Sequence, residues 1–104
     1  MLEFGLSERI IEDLRGVISS QPHINRVDIY GSRARGDYTF ASDIDLAVYG
    51  DDDFTFKDYL DLIGDIDDLP IIFKIDVLDM NALKRPELQD SISKDAIAFC
   101  GVGK

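Results

Sequence analysis

One spacing constrains this chain more than any other: a Gly-Ser pair, ten intervening residues, and then an Asp-x-Asp pair. The first pair, Gly31 and Ser32, follows the apolar, β-prone run 27–30, and the second pair, Asp43 and Asp45, opens another apolar run. Side chains two positions apart on a strand lie on the same face. The pattern therefore predicts a tight turn after one strand and two carboxylates that project together from the next.

A third carboxylate, Asp76, lies inside the apolar run 71–78, between Ile75 and Val77. A carboxylate among apolar neighbours is unfavourable unless it binds something. A neighbouring strand can place Asp76 beside the Asp-x-Asp pair, and three close carboxylates repel one another unless a cation lies among them. Mg²⁺, a hard cation that prefers oxygen ligands, suits such a group. Asp79 is the alternative third carboxylate. On a regular strand it would project from the face opposite to that of Asp76, and an aspartate at the end of a strand is typical of a turn.

The Gly-Ser turn predicts an anion site next to these carboxylates. Gly31 allows the backbone to approach a phosphate closely, and a short helix that begins at Ser32 would offer free N–H groups to an anion. The Ser32 hydroxyl is a further phosphate contact. Arg33 either reaches the phosphates with its guanidinium or is a surface arginine. Phosphate donors beside metal ligands predict a site for a nucleotide triphosphate and Mg²⁺.

This combination resembles the minimal nucleotidyltransferases of the DNA polymerase β superfamily, over roughly residues 7–99. The resemblance implies a Mg²⁺-dependent transfer of a nucleotide in which two ions are held by three carboxylates, Asp43, Asp45 and Asp76. Asp76 would hold the catalytic metal. Gly31 and Ser32, with Arg33 beside them, would bind the triphosphate.

Among these proteins the chain is most similar to the MntA-type antitoxins. That likeness implies a partner, a helical HEPN-domain ribonuclease toxin encoded by the adjacent gene, and a reaction in which AMP from ATP is placed on a tyrosine of the toxin. Two alternatives stay open at this point. The chain could neutralise a partner by occlusion without catalysis, or it could be a nucleotidyltransferase subunit that acts on a small hydroxylated substrate.

Length and charge narrow the functional classes. A chain of 104 residues predicts one domain, residues 1–104. A net charge of −10 argues against binding of a DNA duplex, which requires basic surface. No apolar stretch approaches the roughly 20 residues of a membrane span, and no signal-peptide pattern opens the chain. With its single cysteine, the sequence predicts a cytoplasmic protein.

The periodicity predicts an α/β fold. Ser7 would cap a first helix over 6–18, and Phe56, Tyr59, Leu60, Ile63 and Ile66 would form the buried stripe of a helix over 55–67. The remaining elements would be strands at 27–30, 43–49 and 71–78, a short helix after Gly31, and a last helix over 87–99. The polymerase β-type core that the resemblance implies is a small, mixed, twisted sheet with helices mainly on one face.

Overall fold

The computed structural model describes residues 3–101, in which four helices alternate with four strands. In chain order the elements are α1 (Glu8–Ser19), β1 (Ile24–Tyr30), α2 (Ser32–Arg35), β2 (Ile44–Gly50), α3 (Phe56–Asp67), β3 (Ile75–Asp79), α4 (Pro86–Asp95) and β4 (Ile97–Gly101). In the described part of the chain, no helix has the length and apolar character needed to cross a bilayer.

The four strands form one mixed sheet in the order β3-β2-β1-β4. β1 pairs with β2 and with β4 in antiparallel fashion, whereas β2 and β3 run parallel. A parallel pair cannot be joined by a tight turn, and α3 makes the crossover between its two strands. The expectation of a mixed α/β fold is therefore confirmed.

Alternation along β2 separates the two faces of the sheet. Ile44, Leu46 and Val48 are almost completely buried in the main hydrophobic core, and the residues between them project from the opposite face. α1 packs on the core side through Ile11, Leu14 and Ile18. The side chain of its N-cap, Ser7, accepts a hydrogen bond from the backbone N–H of Ile10 at 3.3 Å, as the sequence predicted.

α3 covers the same face, but its exposed side is less polar than expected. Thr55 caps the helix in a reciprocal capping box with Asp58, and Leu62 and Ile66 are the residues that it buries. The predicted buried stripe is wrong at two positions, since Phe56 is 69% exposed and Leu60 is 49% exposed. The helix is rotated so that Leu62 points into the core, and both of these side chains face outward.

The end of the chain corrects a second prediction. The last helix ends at Asp95, and β4 follows it immediately and pairs with β1. The prediction of a helix through Phe99 is therefore wrong. Strand pairing satisfies the backbone here and places Phe99, 3% exposed, in the main core. α4 lies on the opposite face, where Ile92 packs with two smaller buried residues, Ala47 and Met80.

Candidate active site

The parallel pairing of β2 with β3 brings two of the predicted carboxylates together. Asp45 and Asp76 are register partners at the beginning of their strands, and Asp43 directly precedes β2. Neighbouring strands lie about 4.8 Å apart, and paired residues share a face. That face is the one opposite α1 and α3. All three residues are partly buried, and the Asp76 side chain keeps 48% of its surface exposed.

Gly31 closes the site from the β1 side. Tyr30, the last residue of β1, pairs with Asp45, and Gly31 then turns the chain into α2 with φ +76° and ψ −154°. A Cβ atom built on Gly31 would lie 2.5 Å from Oδ2 of Asp45. The carboxylate thus rests directly against the glycine backbone, in space that any side chain would fill. The predicted turn and the predicted acidic strand meet at this contact.

The electrostatics of the site favour a cation. Burial raises the pKa of Asp45, and the negative charges of Asp76 and Asp43 raise it further. Lys74 and Arg33 oppose this shift, and the Lys74 Nζ lies 3.8 Å from Oδ1 of Asp76. A carboxylate that is hard to ionise because other carboxylates crowd it gains from a divalent ion among them. The donor set, carboxylate oxygens alone, fits Mg²⁺.

The three carboxylates are neighbours without forming a tight cluster. Within residues 3–101, the group of three potential ligands whose atoms all lie within 4.8 Å of one another is a different one, His23, Asp51 and Asp53. That group is at the far end of the β1–β2 pair, where Ile24 opposes Gly50. In the candidate site the strand register places the backbones of Asp45 and Asp76 side by side, and the side-chain oxygens of the three carboxylates lie farther apart than in that group.

Arg33 does not face the site, which corrects the expectation that it reaches the triphosphate. Its side chain is 2% exposed. Its guanidinium donates hydrogen bonds to the carbonyl oxygens of Phe4 at 2.8 Å and Ser42 at 2.9 Å, with a longer one to Phe40 at 3.2 Å. These bonds tie the segment that leads into Asp43 to α2. Arg33 therefore positions the loop between the two motifs.

Ser32 is the first residue of α2 and is partly buried. Its carbonyl oxygen accepts a hydrogen bond from the N–H of Gly36 at 2.9 Å, which closes the single helical turn. Gly31 accepts from Ala34 and Arg35 in the same way. The structure places Gly31 against Asp45, with Ser32 next in the chain, and a role for these two residues in binding phosphate stays a prediction.

Sequence reasoning missed one residue of this surface, Tyr30. It occupies the same row as the carboxylates, since Tyr30 pairs with Asp45 and Asp45 pairs with Asp76. Burial raises the pKa of the Tyr30 phenol, and the charges of these two carboxylates raise it further. The phenol is therefore a neutral hydrogen-bond donor at neutral pH. The signal that could have identified it is its position immediately before Gly31, combined with the antiparallel pairing of β1 and β2.

Comparisons with known proteins agree with this geometry. The family described as "Polymerase beta, Nucleotidyltransferase" matches residues 12–101. A protein of Methanocaldococcus jannaschii named "Putative protein adenylyltransferase" is 32% identical over 95 residues, which is 85% of this chain and 89% of the relative. Both the family match and this relative span the turn and the three carboxylates.

Solved structures share the fold. A crystal structure described as "a putative nucleotidyltransferase from Sulfolobus solfataricus" has a TM-score of 0.58 and 28% identity, over 89% of this chain and 78% of that one. A structure described as a toxin-antitoxin with AMP-PNP has a TM-score of 0.69 over 92% of this chain and 74% of that one, at 21% identity, so it supports the fold alone. The register of the carboxylates, the glycine beneath them and the match over most of the chain lead to one conclusion: this chain belongs to the polymerase β nucleotidyltransferase family.

Proposed function

We propose that this protein is a protein adenylyltransferase that transfers AMP from ATP to a tyrosine hydroxyl of a partner protein. The observation that carries the proposal is the pairing of Asp45 with Asp76 beside a glycine that the Asp45 carboxylate touches. Carboxylates that lie side by side are suited to phosphoryl chemistry with a divalent metal. Family membership and the name of the archaeal relative support the same reaction class.

The chain's own residues have distinct roles in this proposal. Asp43 and Asp45 would hold both Mg²⁺ ions, and Asp76 would hold one of them. Bound Mg²⁺ would neutralise the charge that develops on the transferring phosphoryl group. Gly31 and Ser32 would bind the β- and γ-phosphates. A bond forms between the acceptor oxygen and the α-phosphorus as the bond to the leaving pyrophosphate breaks, and we assign to Asp76 the proton of the acceptor hydroxyl.

The proposed partner is a HEPN-domain ribonuclease toxin, the product of an adjacent gene, which the modification would silence. The sequence resemblance to MntA-type antitoxins motivates this proposal. The shared fold with a toxin-antitoxin structure that holds AMP-PNP is consistent with it. The charge of −10 suits a basic protein partner better than a nucleic acid duplex.

Intact-mass spectrometry tests the proposal. The purified chain is mixed with ATP, Mg²⁺ and the adjacent-gene toxin, and the toxin is expected to gain mass in increments of one AMP. Asp45→Asn should abolish the increments. Asp52→Asn is the matched control, because Asp52 is exposed in the turn between β2 and α3. A stable complex without added mass would instead favour neutralisation by occlusion.

A further inference from the structure

Two large apolar side chains on α3 are exposed without a role in folding. Phe56 and Leu60 are 69% and 49% exposed, and they lie four residues apart, hence on one side of the helix. The chain around them is strongly acidic, and α3 buries its core residues elsewhere. Exposed apolar side chains that lie together and are rimmed by polar residues are typical of interaction sites.

Phe56 also forms one wall of a cavity of about 260 Å³. The cavity, here called the α3–β3 pocket, is lined by Phe56, Tyr59, Leu78, Asp79, Ala82 and Leu83. Tyr59 is held in place because its hydroxyl donates to the carbonyl oxygen of Val77 at 2.6 Å, and its ring centroid lies 6.0 Å from that of Phe56. The wall is therefore preformed, and its lining is mainly apolar.

The pocket begins one side chain away from the proposed catalytic carboxylate. Leu78 follows Asp76 by two residues on β3, so both project from the same face, at a separation of roughly 6.6 Å along the strand. β3 is an edge strand of the sheet, so no other strand of the described residues pairs with its outer side. The charge of Asp76 reaches this surface, since it contributes to raising the pKa of Tyr59 after burial and Asp79.

Either the nucleotide or the acceptor protein could occupy the pocket, and its size and position favour the acceptor. Sites for whole small-molecule ligands span roughly 300–1,000 Å³, so this cavity fits a single large side chain better than a nucleotide. Gly31 lies on the β1 side of Asp45, whereas the pocket lies beyond Asp76 on the β3 side. In an in-line displacement the leaving pyrophosphate and the attacking oxygen are on opposite sides. With the phosphates at Gly31, the acceptor approaches from β3.

We propose that the α3–β3 pocket is an acceptor subsite, which binds an apolar side chain of a basic protein segment a few residues from the modified hydroxyl. This inference rests on the proposed function, because the position of the phosphates defines the acceptor side. Asp79 at the rim and Asp76 beside it favour Lys or Arg next to the apolar anchor. The pocket gives the enzyme a means to select a protein acceptor over a free hydroxyl compound.

A binding assay tests the subsite without requiring transfer. The labelled chain is titrated with tyrosine-containing peptides in which the flanking positions carry Phe or Leu against Ser, and Lys against Glu. Peptides with an apolar and a basic neighbour are expected to bind best. Phe56→Ser should weaken the binding of these peptides about tenfold, and Leu83→Ala, at another lining residue, should also weaken it. Ile72→Ser, at a residue that is 84% exposed and outside the pocket, is the matched control.

Several results would overturn the inference. Binding without preference for apolar neighbours, or equal binding by Phe56→Ser and the parent chain, would exclude the pocket as the anchor site. Displacement of the peptide by adenosine would assign the pocket to the base. Conversion of a dimer to a monomer by Phe56→Ser would assign it to a second copy of the chain. Because the readout is binding, a failure of AMP transfer in the mass experiment remains a separate result.

Discussion

Gly31 is the residue at which the candidate site tolerates the least change. Its φ of +76° is unfavourable for any other residue, and a Cβ there would meet the Asp45 carboxylate at 2.5 Å. Gly31→Ala should therefore displace Asp45 and reduce AMP transfer at least about 100-fold, since small misplacements of reacting groups have effects of that size. Steady-state transfer assays with the toxin acceptor measure this loss.

Gly64→Ala provides the control for the same chemical change. Gly64 lies within α3, and a Cβ there has nothing within 4 Å. The substitution should leave transfer unchanged and stabilise the fold by about 0.5–1 kcal/mol, because alanine is the better helix former. Equal activity of the Gly31 and Gly64 variants would contradict the close contact between Gly31 and Asp45.

Asp45 should make the stability of the protein depend on pH in an unusual direction. Its pKa is raised in the folded state, by burial and then by Asp76 and Asp43. Between the unfolded value of about 3.9 and the raised folded pKa, the folded protein therefore holds a proton that the unfolded chain has released. Stability from this group is greatest below that value, falls as pH rises, and is lowest once the folded pKa has been passed.

Asp45→Asn should accordingly raise the Tm at pH 7 in the presence of EDTA, although it abolishes transfer. The gain should shrink as pH falls towards 4. Thermal unfolding of both proteins between pH 4 and 8 measures it. A variant that is less stable than the parent at pH 7 would show that the Asp45 charge stabilises the fold, contrary to the crowding of carboxylates described above.

At the scale of the element, β4 shows where sequence pattern is insufficient. The spacing of Leu88, Ile92, Ala96 and Phe99 is helical, and it correctly predicts α4 up to Asp95. The last part of that pattern is a coincidence, because the short apolar run 97–100 suits a strand equally well. Pairing with β1 decides the outcome, and β1 is some seventy residues distant in the chain. No local signal carries that information.

Substitutions in β4 test its strand structure. Phe99 is 3% exposed and Ile97 is 43% exposed. Phe99→Ala should destabilise the protein by about 3–5 kcal/mol, as truncation of a buried aromatic residue usually does, whereas Ile97→Ala should lose about 1 kcal/mol or less. Urea unfolding measures both. Similar losses at the two positions would contradict the burial of Phe99 in the main core.

The elements around the site were more predictable than this edge of the sheet. β2 and its carboxylates follow from strict alternation, and the caps Ser7 and Thr55 follow from local chemistry. Arg33 was not predictable, because its burial depends on carbonyl oxygens contributed by two separate loops. The outward turn of Phe56 likewise depends on how α3 packs and not on its own sequence.

At the scale of the whole molecule, salt should stabilise the protein in two ways: NaCl screens its charge, and Mg²⁺ also binds to it. A net charge of −10 makes the folded state repel itself, so added NaCl should raise the Tm. Mg²⁺ at equal ionic strength should raise the Tm further, because an ion at ten times its Kd adds about 1.4 kcal/mol to the free energy of unfolding. Thermal scans of the parent chain and Asp45→Asn separate the two effects, and a Mg²⁺ increment that persists in the variant would place the ion elsewhere.

The buried guanidinium of Arg33 has a practical consequence for anyone who handles this protein. It fastens Phe4, near the start of the chain, to the loop that enters the acidic strand. Phe4 thus supports the candidate site structurally, at a distance from its carboxylates. A truncation that removes Phe4, or an affinity tag fused directly against it, would remove or strain this support, so assays of this protein should keep Phe4 and separate any N-terminal tag from it by a linker.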